Sequence, residues 1–130
     1  MIKYYKEVTG LISPLEPYSY VVRAGDTLYL AGQVALDETG KIIGATMKEQ
    51  ATQVWKNIKT ALEAVGSSLE NIVKINYFLQ DIRELNEEIE IRKTLFLETK
   101  FPAVTAVQVS ALGLPGLQLE VDIVAVANVY

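Results

Sequence analysis

Few side chains in this sequence could carry out chemistry. The 130 residues include no Cys and no His, which excludes disulfides, thiolate nucleophiles and Cys-based metal sites. The missing His also removes the usual general base near neutral pH and the commonest metal ligand. Any reaction must therefore use carboxylates, Lys, Arg, Tyr, hydroxyls, amides or backbone groups.

Glu120 is the leading candidate for proton transfer. It stands between apolar neighbours in the segment "LQLEVDIVAV". If this segment is a strand that faces an interface, the carboxylate is partly desolvated, which raises its pKa toward the range that is useful for proton transfer. The alternatives are a structural ion pair across subunits and a solvated residue at the rim.

Three further features could bind a ligand. Tyr18 follows Pro17 in a loop, where its phenol could donate a hydrogen bond to a ligand or simply cap the core. Arg92 could present a guanidinium fork to a carboxylate, but Glu88 lies four residues before it, which favours an ion pair on a helix surface. Backbone N–H groups of "AGQV", residues 31–34, could bind an anion, although a glycine that ends a strand is common.

Alternating and apolar segments predict the elements that position these residues. A helix is indicated by apolar residues at three- and four-residue spacing between Met47 and Val65, with Thr46 and Glu49 at capping-box spacing and Gly66 at its end. Strands are expected at residues 3–8, 20–23, 27–33, 72–79, 103–110 and 117–129.

A second helix is expected between the fourth and fifth strands. Asp81 and Glu84 have capping-box spacing at its start, and it ends before Pro102. Its apolar residues are Ile82, Leu85, Ile89, Leu95 and Phe96. We therefore predict a single α+β domain over residues 1–130, with a mixed six-stranded sheet and two helices on one face.

The last strand predicts an interface on the other face of the sheet. One set of alternating side chains is apolar and can meet the helices: Leu117, Leu119, Val121, Ile123, Ala125 and Ala127. The other set contains Glu120 and Asp122, followed by Val124 and Val126, with Ala106 or Val107 on the preceding strand. Exposed apolar sheet surface of this kind usually marks a protein interface, so we expect a homo-oligomer.

Charge and hydropathy argue against two classes of partner. The net charge is −4 and the basic residues are scattered, so a nucleic-acid partner is not expected. The N-terminus lacks the apolar region of a signal peptide, and no run approaches the roughly 18 apolar residues of a membrane span. We predict a soluble, cytoplasmic protein without a membrane partner.

The chain as a whole resembles the Rid family, also called the YjgF or L-PSP endoribonuclease family. The resemblance implies a chorismate-mutase-like fold and a homotrimer with small-molecule clefts between its subunits. It implies hydrolysis of 2-imino and enamine acids, such as 2-iminobutanoate and 2-iminopropanoate, to 2-keto acids and ammonia, without a metal or cofactor. It rests on "PYSYVVRAGDTLYLAGQV", "QATQVWKNIKTALEAVGSSLENIVKINYFLQDI", "FPAVTAVQVSAL" and "LQLEVDIVAV".

The resemblance assigns roles to three residues of this sequence. Tyr18 matches a tyrosine that lines the pocket, Gly32 matches a glycine at a strand end, and Glu120 matches a glutamate that positions or activates the attacking water. These assignments agree with the candidates that the residue pattern itself suggests.

The sequence departs from the family pattern at three positions. Val104 replaces the arginine that grips the substrate carboxylate, Ala31 stands where active deaminases commonly have serine, and Ile89 stands where many have a helix asparagine. Gln108 is the one strongly polar side chain of the strand "FPAVTAVQV". All three changes make the expected cleft more apolar.

Three functions are compatible with these residues. The first is an imine deaminase, weak or acting on a substrate without a carboxylate, in which Glu120 handles water and Arg92 contributes if it reaches the cleft. The second is a trimeric binding module without turnover, which holds a small apolar or amide-bearing ligand between Tyr18, Val104, Gln108 and Glu120. The third is a ribonuclease, which the missing His and the acidic balance disfavour.

Overall fold

One mixed six-stranded sheet organises the chain, and a computed structural model describes it within residues 1–128. The strands lie in the order β1-β2-β3-β6-β4-β5, with β4 and β5 parallel and all other neighbours antiparallel. The predicted α+β class with a mixed six-stranded sheet is confirmed. The strands are β1 (Ile2–Tyr5), β2 (Val21–Ala24), β3 (Thr27–Gln33), β4 (Ile72–Leu79), β5 (Ala103–Gln108) and β6 (Leu119–Val126).

Several strand boundaries differ from the prediction. The first strand ends at Tyr5 rather than at residue 8, and β5 ends at Gln108 rather than at residue 110. The last strand ends at Val126, and Val129 of the predicted strand lies outside the described residues.

The first helix, α1 (Met47–Ala64), confirms the apolar stripe and both end signals. The Glu49 N–H donates to Thr46 Oγ1 at 3.2 Å, and the Glu49 carboxylate accepts from the Thr46 N–H at 3.1 Å. Gly66 has a φ of 79°, which a residue with a Cβ rarely adopts. Within residues 1–128, no helix is both long and apolar enough to cross a membrane.

The second helix, α2 (Leu85–Leu95), begins later than predicted. The capping box of Asp81 and Glu84 is wrong: Asp81 accepts from the Arg83 N–H at 3.0 Å and caps the short 3-10 turn Ile82–Glu84 instead. The Arg83 guanidinium also binds the Asp81 carboxylate, at 2.9 Å. These local bonds hold a tighter turn ahead of the α-helix.

Both helices pack on one face of the sheet, and the strand alternation explains why. The inward-facing residues of β6 are buried, as predicted: Leu119, Val121, Ile123 and Ala125. The opposite face, here called the open face, carries no helix and includes Tyr29, Glu120, Asp122, Val124 and Val107. Because Tyr29 and Val107 are exposed there, the open face is the apolar surface that the sequence predicts.

A buried charged network joins α1, α2 and β4. The fully buried Glu88 accepts hydrogen bonds from the Tyr77 hydroxyl and from Trp55 Nε1, the latter at 3.1 Å. Arg92 donates to the same carboxylate from Nε at 3.0 Å and from Nη2 at 2.5 Å. The Arg92 guanidinium also lies 4.6 Å from the centroid of the Tyr77 ring. The Glu88 charge is therefore fully paired inside the core.

This network predicts a large loss of stability when the cation is removed. Arg92→Met should lower the free energy of unfolding by about 3 kcal/mol, because Glu88 would be left as an unpaired buried charge. Lys93→Met, at the exposed neighbouring position, should change it by less than about 0.5 kcal/mol. Denaturant titration of both variants measures the difference, and equal losses would contradict the network's role.

Candidate functional site

The centre of the candidate site is a close approach between Gly32 and Glu120. The pairing of β3 with β6 shifts register between Leu30 and Gln33, which places Gly32 beside the Glu120 side chain. A Cβ added to Gly32 would lie 2.7 Å from Glu120 Cδ and 2.9 Å from Glu120 Cγ. Glycine leaves room for the carboxylate in this position, whereas a residue with a Cβ would force the Glu120 side chain to move.

A pocket of about 410 Å³ opens next to this contact. Its walls come from the loop between β1 and β2, from the end of β3, and from the loop between β5 and β6. The lining residues are Ile12, Ser13, Leu15, Glu16, Tyr18, Ala31, Gly32, Val34, Leu36, Gly113, Leu114, Leu117 and Glu120. Most of this surface is apolar, with a few polar groups, as is usual for a small-molecule site.

Tyr20 holds the first of these loops against the sheet. Its hydroxyl donates to the backbone carbonyl of Ile12, and its ring packs edge-on against Tyr18 with centroids 6.1 Å apart. Burial raises the pKa of Tyr20 to about 12, so the phenol keeps its proton and remains a donor. The Tyr18 N–H donates to the Glu16 carbonyl at 2.9 Å, which closes the turn that carries both pocket side chains.

Glu120 has the electrostatic properties of a proton acceptor. Burial raises its pKa above the ordinary range for Glu, and the neighbouring Asp122 charge raises it further. Among the hydrogen bonds of residues 1–128, none is donated to the Glu120 carboxylate, whereas Asp122 accepts from Asn76 Nδ2 at 2.8 Å. Glu120 therefore has free acceptor positions directed at the open face and the pocket.

A smaller hollow of about 270 Å³ shares Gly113 and Glu120 with this pocket. It is also bordered by Phe78, Leu112 and the second open-face carboxylate, Asp122. Glu120 thus borders two cavities.

The structure brings together four of the residues expected at the site: Tyr18, Ala31, Gly32 and Glu120 line one pocket. Within one chain it does not bring Val104, Gln108, Ile89 or Arg92 to them. Val104 and Gln108 are separated from Glu120 because β4 lies between β6 and β5, and Ile89 and Arg92 belong to α2, which packs on the opposite face of the sheet. Any ligand contact of these four residues at the pocket would have to come from another subunit.

Two of the distant residues, Gln108 and Arg92, already bind partners within their own chain. Gln108 Oε1 accepts from the Ile82 N–H at 3.0 Å, so this oxygen is used inside its own chain. Arg92 is the ion-pair partner of Glu88, the alternative that its spacing favoured. Val104 pairs with Ile75 on the helix-bearing side of the sheet and is 38% exposed, and Ile89 is half-buried on α2.

Sequence reasoning missed the loop residues of the pocket. Ser13 and Glu16 lie in the connection between β1 and β2, Gly113 and Leu114 lie in the connection between β5 and β6, and all four form part of the pocket wall. The prolines of "SPLEPY", residues 13–18, could have indicated a pocket wall, because proline stiffens a loop and this loop carries polar side chains. Residues 1–128 hold no cluster of three or more acidic, His or Cys side chains that could bind a metal ion.

Comparison with known proteins supplies the family. The model of the endoribonuclease L-PSP family matches residues 10–127. The chain belongs to this family, also called the Rid family. A RutC family protein of Pyrococcus horikoshii is 41% identical over 100 residues, which cover 76% of this chain and 79% of the relative.

Two further relatives connect the Rid family to an activity name and to a solved fold. The human 2-iminobutanoate/2-iminopropanoate deaminase is 37% identical over 111 residues, covering 85% of this chain and 80% of that protein. A Rid family protein of unknown function from Yersinia pestis superimposes with a TM-score of 0.90 at 30% identity, covering 98% of this chain and 100% of that one. The sequence-based assignment to the Rid family is confirmed.

The close approach at the site predicts coupling between Gly32 and Glu120. Gly32→Ala should lower the free energy of unfolding by about 1–3 kcal/mol, because the new methyl group overlaps the Glu120 side chain. Gly113→Ala should cost less than about 0.5 kcal/mol, because a Cβ there would meet no heavy atom within 4 Å.

A double-mutant cycle checks the cause of this loss. In a Glu120→Ala background the methyl group has room, so Gly32→Ala should cost much less than it does in the wild type. Denaturant unfolding of the four proteins gives the coupling energy. An unchanged cost would show that the strain at Gly32 has another origin.

Proposed function

We propose that the protein is a cofactor-independent imine hydrolase that releases ammonia at the pocket around Glu120. The observation that carries the proposal is a half-buried carboxylate with a raised pKa and no protein donor, beside Gly32 in a pocket that Tyr18 also lines. Membership of a family that includes a protein named 2-iminobutanoate/2-iminopropanoate deaminase supports the reaction class.

Water addition and ammonia loss need one group that accepts and returns a proton. Glu120 accepts a proton from water as the water oxygen bonds to the carbon of the protonated imine, which forms a carbinolamine. The carboxylic acid then returns this proton to nitrogen. As the C–N bond breaks, the carboxylate takes the hydroxyl proton of the carbinolamine, which leaves a carbonyl compound and ammonia. A carboxylate with a raised pKa suits both steps, because it can hold the proton between them.

The proposed active form is a homotrimer in which the open face is covered by a neighbouring subunit. The exposed apolar side chains of that face support an interface, as do Val104 and Val107 on edge strand β5, which are 38% and 43% exposed. A neighbour that packs the free edge of β5 against the open face would bring its Val104 toward Glu120. The Val104 position then influences the ligand, as the family pattern implies.

Sedimentation equilibrium tests this assembly. The wild type should sediment as a trimer at micromolar concentration, and Val124→Asp should shift it toward monomers because a charge would be buried in the centre of the interface. Lys59→Asp, on the exposed side of α1, should leave the trimer intact. A monomeric wild type would remove the assembly from the proposal.

Ammonia release from 2-iminobutanoate generated in situ tests the reaction. The wild type should accelerate release weakly, and Glu120→Gln should reduce the acceleration at least about 100-fold, the usual contribution of a general base. The wild-type rate should fall as the pH decreases through the raised pKa of Glu120, because only the carboxylate accepts a proton. This acid limb should be absent in Glu120→Gln.

Substitution at Val104 tests whether the missing arginine limits the rate. Val104→Arg should raise the rate on 2-iminobutanoate about tenfold, because a charged hydrogen bond to the substrate carboxylate would be restored. Val104→Met provides a long side chain without charge and should give no such gain. Wild-type release equal to the buffer rate would favour the alternative, a trimeric small-molecule-binding module without turnover.

A further inference from the structure

The pocket around Glu120 is negatively charged. Its two charged lining residues are both carboxylates, Glu16 and Glu120, and within residues 1–128 no Lys or Arg contributes to its wall. Asp122 lies next to Glu120 on the open face and adds a third negative charge close to the pocket. An anionic ligand would meet repulsion here, whereas a cation would be attracted.

The charges of both pocket carboxylates affect the Tyr18 phenol. Burial raises the pKa of Tyr18, and the charges of Glu16 and Glu120 raise it further, in that order. Glu16 belongs to the loop before β2 and Glu120 to β6, and both line the same pocket as Tyr18. A small cation placed beside the Tyr18 hydroxyl would be attracted by both carboxylates.

Both carboxylates also lack the cation partners that other acidic residues of this chain have. Glu88 is paired with Arg92, and Asp81 with Arg83. In the part of the chain that the structure describes, no Lys or Arg lies within ion-pair distance of Glu16 or Glu120. The negative charge of the pocket is thus available to a ligand.

The rest of the wall favours an apolar substituent. Leu15, Val34, Leu36, Leu114 and Leu117 line the pocket around the two carboxylates. Burial of a short hydrocarbon chain against such a surface strengthens binding with each CH₂ group. The wall therefore complements a ligand with one cationic end and one aliphatic end.

We infer that the preferred substrate is a protonated imine with a short aliphatic chain and no carboxylate, of the class formed when a primary amine is oxidised. This inference rests on the proposed function. Water adds its oxygen to the imine carbon of R–CH=NH₂⁺ and the C–N bond breaks, which yields R–CHO and NH₄⁺. Glu120 carries the two water protons to nitrogen, one after the other, and Glu16 attracts the cation.

Isothermal titration with two stable probes of equal chain length tests the preference. The wild type should bind n-butylammonium at least about tenfold more tightly than butanoate, because the pocket carboxylates attract one ion and repel the other. Glu120→Gln should weaken butylammonium binding about tenfold, and Glu16→Gln about threefold, since Glu16 is exposed. Glu70→Gln, on an exposed turn far along the chain, should leave binding unchanged.

The outcomes separate this inference from the proposed function. Butanoate binding that equals or exceeds butylammonium binding would overturn the cation preference, even if 2-iminobutanoate is hydrolysed. Binding of neither probe would overturn it as well. Tight butylammonium binding without ammonia release from either butanimine or 2-iminobutanoate would support the charge preference and overturn the hydrolase proposal.

Discussion

The candidate site depends on the absence of a side chain at Gly32. The register shift in β3 brings this residue against Glu120, and a Cβ here would lie 2.7 Å from Glu120 Cδ, so that a side chain at this position would displace the carboxylate. Glu120 can therefore lie low on the sheet surface, where burial and Asp122 raise its pKa. The proton transfer proposed for the pocket depends on the space that Gly32 leaves for the Glu120 side chain.

Glu88 and Glu120 are both removed from solvent at least in part, but they differ in their hydrogen-bond partners. Glu88 is fully buried, but Arg92, Tyr77 and Trp55 satisfy its oxygens, so it joins α2 to the core and is closed to ligands. Glu120 is only partly buried and has no such donors. Pairing, rather than depth of burial, separates the structural carboxylate from the candidate catalytic one.

Much of the fold could be predicted because its signals are local. The apolar stripe of α1, its capping box at Thr46 and the alternation in β6 all depend on neighbours within a few residues. The shortened start of α2 could not be predicted, because Asp81 has two possible donors at similar distance in sequence. The hydrogen bond from the Ile82 N–H to Gln108 could not be predicted from local sequence either, because it joins residues 26 positions apart.

The site was predictable in part for the same reason. Glu120 could be identified from its apolar neighbours, and Tyr18 and Gly32 from the family pattern. The contribution of Glu16 depends on how a loop folds over the end of β3, which no local pattern specifies. The family pattern also placed Val104 in a cleft, although β4 separates its strand from Glu120 within one chain.

A carboxyl ¹³C NMR titration of Glu120, assigned by comparison with Glu120→Gln, measures whether this carboxylate is desolvated. Glu120 should titrate clearly above the ordinary Glu value of about 4.3, because burial and Asp122 disfavour its charged form. A pKa at or below the ordinary value would contradict it. Glu120 would then be a solvated or ion-paired residue, as in the structural alternatives that the sequence left open, and not the base of a desolvated pocket.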